Sequence, residues 1–279
     1  MFEALKSEYI SIFGWMNSIG IIGCGWLGIP LGKTLKQKGH TVFGTRRSET
    51  GVRLLSENGI NAYQLEVLPN KITGDLSFFD ELNTLILSLP PERKKNAHFY
   101  DQKIKTLLNH VEKSSISRIL FLSSTSVYGK NAGKFDETSL TNPDTESSIA
   151  LCNVEQSLMN HNIPSVIIRL GGLVGEDRNP IIQLQNRKIS NPEGCINFIH
   201  QIDAVRGIMT LLEETKIDGI YNLVSPHHPQ RKKYYTFMAK KLKLPKPEFQ
   251  DEDAIIRIIK GEKIMTHTGF NYTVNNLLI

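Results

Sequence analysis

The segment SIGIIGCGWLGIPLGKTLKQKGH, residues 18–40, constrains the fold of this chain more than any other. It begins with the short apolar run IGIIG, which is typical of a buried strand. Leu27, Leu31 and Leu35 follow at intervals of four, so a helix would carry them on one face. Gly39 is suited to the position just after the end of that helix. The segment therefore predicts a strand, a glycine-rich turn and an amphipathic helix.

The alternation of apolar runs and helical patterns continues along the chain. Strands are predicted at 41–45, 60–67, 84–90, 118–124, 165–170 and 219–225, and helices at 49–58, 97–113, 145–161 and 203–214. Strands this apolar are buried on both faces, and helices between them imply parallel crossovers. The pattern predicts an α/β fold with a Rossmann-type, doubly wound parallel sheet.

The glycine-rich turn matches the pattern G-x-G-x-x-G, with Trp26 and Leu27 between the last two glycines. Gly23 permits a tight turn, Gly25 lets a pyrophosphate approach the backbone, and Gly28 lets the helix pack closely on the strand. The N-terminus of the helix then offers free N–H groups to phosphates. These five residues are therefore predicted to bind a dinucleotide, and a purely structural glycine turn is the alternative.

The end of the second strand indicates which dinucleotide is bound. An NAD site usually has an acidic residue here, whereas an NADP site often has an arginine for the 2′-phosphate. Arg46 and Arg47 occupy this position, 18 and 19 positions after Gly28, and no carboxylate comes before Glu49. The pattern favours NADP over NAD; two solvated arginines in a loop are the alternative. Ser88, near the end of the fourth strand, completes the predicted cofactor-binding set.

Composition and cysteine spacing exclude several classes of protein. The chain has 279 residues, of which 40% are hydrophobic and 22% charged, which is ordinary for a globular protein. The three cysteines show neither a disulfide framework nor zinc spacing, which predicts a reducing, cytoplasmic location. No apolar run reaches membrane-spanning length, about 18 residues. Residues 1–15 lack the pattern of a signal peptide and are predicted to be an optional extension; upstream sequence from a misassigned start is the alternative.

The domain organisation follows from where the alternation weakens. Residues 16–170 are predicted to form the NAD(P)-binding domain. Residues 171–279 contain several prolines and are predicted to complete the sheet at about 201–225 and to form a small substrate lobe. The lobe is expected to close a cleft over the carboxyl ends of the strands.

Three further segments resemble a known family. FLSSTSVYG (121–129), IIRLGGLVGEDR (167–178) and NFIHQIDAVRGIMTLL (197–212) resemble motifs of the extended short-chain dehydrogenases, the NAD-dependent epimerases and dehydratases. The likeness covers nearly all of 17–245 and is closest to an atypical branch that opens with G-x-G-x-x-G. It implies a small-molecule substrate of the nucleotide-sugar type, with Ser124 positioning the substrate oxygen and Arg178 contacting the substrate.

The sequence departs from the family where its chemistry is centred. The family uses a Tyr-x-x-x-Lys helix, in which the tyrosinate removes a hydroxyl proton as hydride leaves for the cofactor. Ser148 and Cys152 fall closest to these two positions, and Ser147 and Leu151 fit almost as well. A serine hydroxyl is too weakly acidic to replace the tyrosine, and residues 143–158 contain no lysine. Tyr128 is the candidate substitute base; the alternative is that it packs in the wall of the cleft.

Two more positions bear on the resemblance: Glu176 departs from the family motif, and His200 and Asp203 match it but have an alternative explanation. Glu176 replaces a proline of the family motif before Arg178, which weakens the case for a diphosphate contact. His200 and Asp203 match the family motif I-H-x-x-D, and the alternative is that they cap the following helix.

Two other patterns have simpler explanations. The pair His227-His228 lacks a third ligand nearby, so a metal site is not predicted. The basic stretch at 231–243 contains an apolar stripe at helical spacing, which predicts an amphipathic helix with a solvated lysine face rather than a nucleic-acid site.

Two functions remain open on these grounds. One is an NADP-binding, epimerase/dehydratase-like oxidoreductase of unknown substrate with an altered catalytic motif. The other is a non-catalytic NADP-binding or redox-sensing protein. Neither nucleic acid nor a membrane is predicted as a partner, and the sequence assigns no oligomeric state.

Overall fold

The computed structural model describes residues 17–91 and 97–278. The predicted extension, residues 1–15, lies outside the described residues. The strands are β1 (Ser18–Ile22), β2 (Thr41–Arg46), β3 (Asn61–Val67), β4 (Ile72–Gly74), β5 (Thr84–Leu87), β6 (Arg118–Ser124), β7 (Gly133–Phe135), β8 (Ser165–Leu170), β9 (Gly172–Val174), β10 (Lys188–Ile189), β11 (Phe198–His200), β12 (Gly219–Leu223), β13 (Glu248–Phe249) and β14 (Arg257–Ile259). The helices are α1 (Gly28–Gln37), α2 (Glu49–Glu57), α3 (Ala97–Val111), α4 (Glu146–Met159), α5 (Pro180–Leu184), α6 (Gln201–Glu213), α7 (Arg231–Lys241) and α8 (Lys263–Thr268), with 3₁₀ turns at Leu76–Phe79 and Thr125–Tyr128.

A large sheet organises the fold, with the strand order β12-β8-β6-β5-β1-β2-β3-β4. The pairings of β1 with β2 and β5, of β2 with β3, of β5 with β6 and of β12 with β8 are parallel. All residues of β5 and β8 are buried, as expected for strands covered on both faces. The predicted α/β fold with a doubly wound parallel sheet is therefore confirmed.

The predicted elements differ from the structure at several of their edges. The short strand β4, which pairs antiparallel with β3, was not predicted. The strand predicted at 84–90 ends at Leu87, shortly before the consecutive prolines Pro90 and Pro91. Proline has no N–H to donate to a strand ladder, so the sheet cannot continue through them.

The chain divides into two compact units. Among the described residues, the first unit comprises 17–90, 98–121 and 161–165. The second comprises Pro91, Ala97, 122–160 and 166–278.

In the first unit, α1 packs against the sheet through the predicted apolar face. Leu31 and Leu35 are completely buried, and Leu27 is buried as well. Gly39 follows the helix with a φ of +91°, the left-handed conformation that suits glycine at this position. Helix α2 begins after Ser48, whose side chain accepts a hydrogen bond from the Gly51 N–H.

In the second unit, the sequence after strand β8 builds a small apolar core. Tyr235, Met238 and Ala239 of α7 are buried in this core, as the apolar stripe predicted. Tyr234 is buried beside them, and its hydroxyl accepts a hydrogen bond from the Asn179 side chain at 2.8 Å. The lysines of α7 are exposed, as expected for a solvated face.

His200 and Asp203 have different structural roles. His200 caps α6 by accepting a hydrogen bond from the Ile202 N–H. Asp203 is fully buried and instead accepts hydrogen bonds from the backbone N–H groups of Thr273 and Val274. The interpretation as a helix cap therefore holds for His200, whereas Asp203 holds the C-terminal segment in place.

Candidate functional site

The glycine-rich turn of the first unit is shaped by close backbone approaches. Gly23 has a φ of +83°, and a Cβ there would lie 2.6 Å from the Ser88 carbonyl oxygen. Thr45 holds the turn from β2: its carbonyl oxygen accepts from the Cys24 N–H, and its Oγ1 accepts from the Gly23 N–H at 3.3 Å. A Cβ on Gly28 would lie 3.1 Å from the Cys24 Sγ, so α1 packs close to the turn. These contacts match the predicted roles of Gly23 and Gly28.

Among the described residues, no side chain caps the N-terminus of α1. The residue before the helix is Leu27, which offers no side-chain acceptor, and the first turn contains no acidic residue. Helices α2 and α4, by contrast, are capped by the side chains of Ser48 and Thr145. An uncapped helix N-terminus after a glycine-rich turn is suited to a phosphate group.

Arg46 lies across this turn. Its Nη1 is 3.5 Å from the Cys24 carbonyl oxygen and 3.0 Å from the position that a Cβ on Gly25 would take. Any side chain at position 25 would therefore press on the guanidinium. Arg47 is exposed, and its guanidinium pairs with Glu66 at 3.7 Å. The structure thus places one of the two predicted arginines at the turn and the other on the surface.

The remaining residues of the predicted cofactor set also surround the turn. The Ser88 N–H donates to the Ile22 carbonyl oxygen, and the Ser88 carbonyl forms the wall against Gly23. Trp26 is half-buried, whereas Leu27 is buried under the helix. Ser88 therefore contributes backbone atoms to the turn. Thr45, which the sequence analysis did not identify, contributes both a side chain and backbone atoms.

The second unit contains the predicted catalytic residues Ser124 and Tyr128. Ser124 is half-buried, and its Oγ accepts from the Ser126 N–H at 3.1 Å, which caps the following 3₁₀ turn. Tyr128 is completely buried, and its hydroxyl lies 2.8 Å from the Asp136 carbonyl oxygen and 3.0 Å from the Asn222 Oδ1. Burial raises the pKa of the Tyr128 hydroxyl above its ordinary value, although the Arg169 charge and hydrogen bond oppose this.

Tyr128 belongs to a buried polar network centred on Glu155 and Arg169, each 3% exposed. The Arg169 Nε lies 3.1 Å from both Glu155 carboxylate oxygens, and its Nη2 lies 2.6 Å from the Oε2. The Arg169 Nη1 donates to the Tyr128 hydroxyl at 2.8 Å, and the Ser123 hydroxyl donates to Glu155. This geometry favours the interpretation that Tyr128 packs in the protein interior over the interpretation that it acts as a base.

Glu155 and Arg169 were not predicted from the sequence to belong to the site. The available signal was an arginine inside the apolar strand SVIIRL together with a glutamate on the helix that precedes it. A buried charge of one sign requires a partner of the other sign, but the sequence does not show which residues pair.

The N-terminal half of α4 carries the residues that stand where the family has tyrosine and lysine. Ser148 is completely buried, and it forms a capping box with Thr145 in which each side chain bonds the other residue's backbone N–H. Leu151 is buried, and Ser147 and Cys152 are half-buried. Burial raises the pKa of the Cys152 thiol. None of these four side chains combines an accessible position with an acidity suited to proton transfer.

Arg178 and Glu176 lie together on the surface of the second unit. Both are exposed, and the backbones of Gly175 and Arg178 form an isolated antiparallel bridge. The bridge makes a tight turn of the segment. Arg178 is thus presented by a surface turn.

In the described part of the chain, the three cysteines are free thiols and neither they nor the histidines form a metal cluster. No group of three His, Cys, Asp or Glu side chains there is arranged to hold a metal ion. His227 accepts a hydrogen bond from the Leu277 N–H, and His228 contacts the Ile196 carbonyl oxygen. Burial raises the pKa of the Cys24 thiol to about 12. Its thiolate is therefore scarce at neutral pH.

Fold and turn together define the class of protein. The first strand of the doubly wound parallel sheet leads through G-x-G-x-x-G into a helix whose N-terminus has no side-chain cap. This arrangement is that of a Rossmann-type dinucleotide-binding protein. Within residues 17–91 and 97–278, no helix is both long enough and apolar enough to span a bilayer.

Comparison with known proteins identifies the family. Residues 19–224 match the model of the NAD dependent epimerase/dehydratase family. The chain is 34% identical over 272 residues to Protein YeeZ of Escherichia coli K12, covering 95% of this chain and 98% of that protein. The chain therefore belongs to the NAD dependent epimerase/dehydratase family, as the motifs predicted, and it is a nicotinamide dinucleotide-binding protein of the short-chain dehydrogenase type.

Solved structures show the same fold at low sequence identity. The Bordetella bronchiseptica enzyme WbmG, in complex with NAD and UDP, matches with a TM-score of 0.77 at 20% identity, covering 95% of this chain and 91% of that one. The UDP-glucuronic acid 4-epimerase of Bacillus cereus, in complex with NAD, matches with a TM-score of 0.77 at 20% identity, covering 94% and 93%. A functionally unknown protein from Silicibacter pomeroyi matches with a TM-score of 0.77 at 18% identity, covering 94% and 95%.

Proposed function

We propose that this protein binds NADP(H) in preference to NAD(H). The observation that carries this proposal is the position of Arg46, whose guanidinium lies against the glycine turn at the end of β2. The 2′-phosphate of NADP binds at this end of the second strand, where NAD-binding proteins have a carboxylate. A planar guanidinium can give two charge-assisted hydrogen bonds to such a phosphate.

Other features of the turn support the same cofactor class. The uncapped N-terminus of α1 is suited to the pyrophosphate, and Gly25 leaves room for its approach. Gly23, Trp26, Leu27, Gly28 and the Ser88 backbone complete the proposed binding surface. The exposed Arg47 is proposed to contribute less than Arg46, because its guanidinium pairs with Glu66 on the surface.

The test is a comparison of NADPH and NADH affinities by calorimetry. A charge-assisted hydrogen bond is worth about 1.5–3 kcal/mol, so NADPH should bind roughly 10- to 150-fold more tightly than NADH. Arg46→Gln should remove most of this difference. Arg47→Gln removes the same unit of charge one residue away and should retain most of the difference. Equal affinities for the two cofactors, or equal effects of the two substitutions, would contradict the proposal.

The chemistry that accompanies binding depends on a proton-transfer group. The nicotinamide, when bound, supplies hydride transfer, and the chain must supply the acid and base. Ser124 is the half-buried hydroxyl that remains from the family's catalytic set, and the hydroxyl of Tyr128 is occupied by its network partners. We therefore propose an epimerase/dehydratase-like protein with an altered catalytic motif, in which Tyr128 has a structural role.

The substrate class is proposed from the relatives. The solved structures include a complex of WbmG with NAD and UDP and a UDP-glucose 4-epimerase of Thermotoga maritima with UDP-glucose. A small molecule related to nucleotide sugars is therefore the proposed ligand of the second unit, with Ser124 and Arg178 as its proposed contacts. A second function, binding without turnover, is favoured by the capping role of Ser148 on α4.

The two functions are distinguished by a turnover assay. Purified protein with NADP and a panel of nucleotide sugars should show negligible oxidation or epimerisation, because a positioned acid–base typically contributes 10²–10⁴-fold in rate. Product formation is followed by mass spectrometry and by absorbance of the reduced nicotinamide. Turnover on the order of 1–10 per second would contradict this expectation. In that case Tyr128→Phe against Ser124→Ala would show which hydroxyl transfers the proton.

A further inference from the structure

Gly51 lies in the first turn of α2, shortly after the strand that carries Arg46. Its φ is not positive, so its backbone has the ordinary helical conformation that other residues adopt without strain. Glycine also weakens a helix relative to alanine, because it loses more conformational freedom on folding. The backbone of α2 therefore gives no reason for a glycine at this position.

The neighbour of Gly51 is the side chain of Arg46. A Cβ on Gly51 would lie 2.7 Å from the Arg46 Nε, 2.9 Å from its Cβ and 3.1 Å from its Cγ, and these are the three nearest atoms. Carbon atoms in contact are ordinarily about 3.5–4.0 Å apart. An alanine at position 51 would therefore displace the Arg46 side chain from its place along α2.

The other glycines within the described helices have uncharged neighbours. They are Gly28, Gly32 and Gly207, and the three atoms nearest to a Cβ on each belong to cysteine, isoleucine, valine or leucine side chains. Glycine at those positions lets apolar parts of the core pack closely. Gly51 instead leaves room for a cation.

The backbone on both sides of this contact is held in place. Arg46 is the register partner of Gln64 where β2 pairs with β3, and the Gln64 side chain donates to the Arg47 carbonyl oxygen at 3.0 Å. The Ser48 side chain accepts from the Gly51 N–H at 3.2 Å, which ties the first turn of α2 to the residues that follow β2. A methyl group added at position 51 would therefore act mainly on the Arg46 side chain, because that side chain is the more mobile partner.

The far end of the Arg46 side chain uses space that a second glycine leaves. Its Nη1 is 3.0 Å from the position of a Cβ on Gly25. Among the described residues, the guanidinium donates one hydrogen bond, the 3.5 Å contact with the Cys24 carbonyl oxygen, and no carboxylate oxygen lies within 4.0 Å of it. Its orientation therefore depends on the space beside the two glycines more than on a strong partner.

We propose that Gly51 is a positioning residue for the selection of NADP(H): it leaves the space in which the Arg46 side chain lies along α2, and so sets where the guanidinium meets the 2′-phosphate. This role rests on the proposed preference for NADP(H). Two parallel hydrogen bonds from a guanidinium to a phosphate require a defined orientation, so a displaced Nε costs at least one of them. NAD(H) lacks the 2′-phosphate, and its binding does not depend on this orientation.

The experiment measures the ratio of NADPH affinity to NADH affinity by calorimetry in the parent, in Gly51→Ala and in the control Ser56→Ala. Gly51→Ala should lower the ratio about tenfold, because one charge-assisted hydrogen bond is lost, and should change NADH affinity by less than about twofold. Ser56 is exposed on a later turn of the same helix, and alanine adds no atom there. The control should keep the ratio within about twofold of the parent value. A parent ratio retained in Gly51→Ala would overturn the proposal.

A double-mutant cycle shows whether Gly51 acts through Arg46. Arg46→Ala removes the Nε and Cγ that the added Cβ would approach, so Gly51→Ala in this background should change the ratio by less than about twofold. An equal effect of Gly51→Ala in both backgrounds would contradict the proposal. Alanine stabilises the helix and opposes the crowding, so the Tm of Gly51→Ala should stay within about 4 °C of the parent.

A further variant keeps the proposal open to test if Gly51→Ala does not fold. Arg46→Lys keeps the charge but has no planar fork for Gly51 to orient, so its ratio should fall at least about threefold below that of the parent. The full parent ratio in Arg46→Lys would speak against the positioning role.

Arg46→Gln separates this proposal from the preceding one. If the ratio is lost in Arg46→Gln but kept in Gly51→Ala, the proposed cofactor stands and the positioning role is refuted. If the parent binds NADPH and NADH equally, the proposed cofactor preference is refuted, and the positioning role with it.

Discussion

Replacing Arg169 by methionine removes the guanidinium that neutralises Glu155 inside the second unit. Both side chains are only 4% exposed, and three Arg169–Glu155 contacts of 2.6–3.1 Å join them. Without Arg169, the carboxylate keeps only the Ser123 hydroxyl among its side-chain partners in the described part of the chain, and Tyr128 loses its donor. The substitution should therefore destabilise the protein strongly.

The magnitude follows from the burial of the pair. Removing one partner of a buried ion pair costs about 3–5 kcal/mol, because the remaining charge stays in a low-dielectric environment. For domains of 150–250 residues, 1 kcal/mol shifts the Tm by about 2–4 °C, so a decrease of roughly 6–20 °C is expected. The assay is thermal unfolding followed by circular dichroism, with urea unfolding to give the free-energy difference.

Two further variants test the reasoning. The double substitution Glu155→Leu with Arg169→Met removes both charges and should be destabilised by much less than the sum of the single effects. The control Lys130→Met breaks the exposed pair with Asp144 and should cost less than about 1 kcal/mol. The reasoning fails if Arg169→Met costs no more than the control, or if the double variant equals the sum of the two single variants.

Two more predictions concern the turn and the C-terminal segment. Gly23→Ala should destabilise the protein and abolish cofactor binding, because it combines a φ of +83° with a Cβ 2.6 Å from the Ser88 carbonyl oxygen. Gly39→Ala is the control, since Gly39 has a φ of +91° and no atom within 4 Å of the added Cβ. It should cost only the backbone strain, about 1–2 kcal/mol by thermal unfolding. Cofactor affinity equal in the two variants would show that the close approach has no role. His227 accepts a hydrogen bond from the Leu277 N–H, and burial lowers the pKa of His227 below its ordinary value. Its stabilising contribution is therefore present above about pH 6.5 and is lost as the pH falls through the lower folded-state pKa, so the Tm should decrease from pH 7.5 to 5.5, and by less in His227→Gln. An identical pH dependence in the variant would exclude His227 as the cause.

The elements with a local sequence signal could be predicted without the structure. The apolar strands, the helical spacing of Leu27, Leu31 and Leu35, and the glycines of the first turn define the fold class without reference to distant residues. The strand–turn–helix unit also gave the position of Arg46, because β2 follows α1 directly and ends beside the turn in a parallel sheet. Short-range periodicity and fixed turn geometry carry this information.

Which charged and polar side chains contact one another depends on the three-dimensional fold. Glu155 and Arg169 are ordinary charged residues in the sequence, and only the tertiary contact between α4 and β8 makes them a buried pair. The sequence leaves open whether Tyr128 acts as a base or packs, and the fold shows the partners of its hydroxyl: Arg169, Asn222 and the Asp136 carbonyl. Whether a titratable group acts in chemistry or in packing depends on its desolvation and on partners far away in the chain, and neither quantity is set by local sequence.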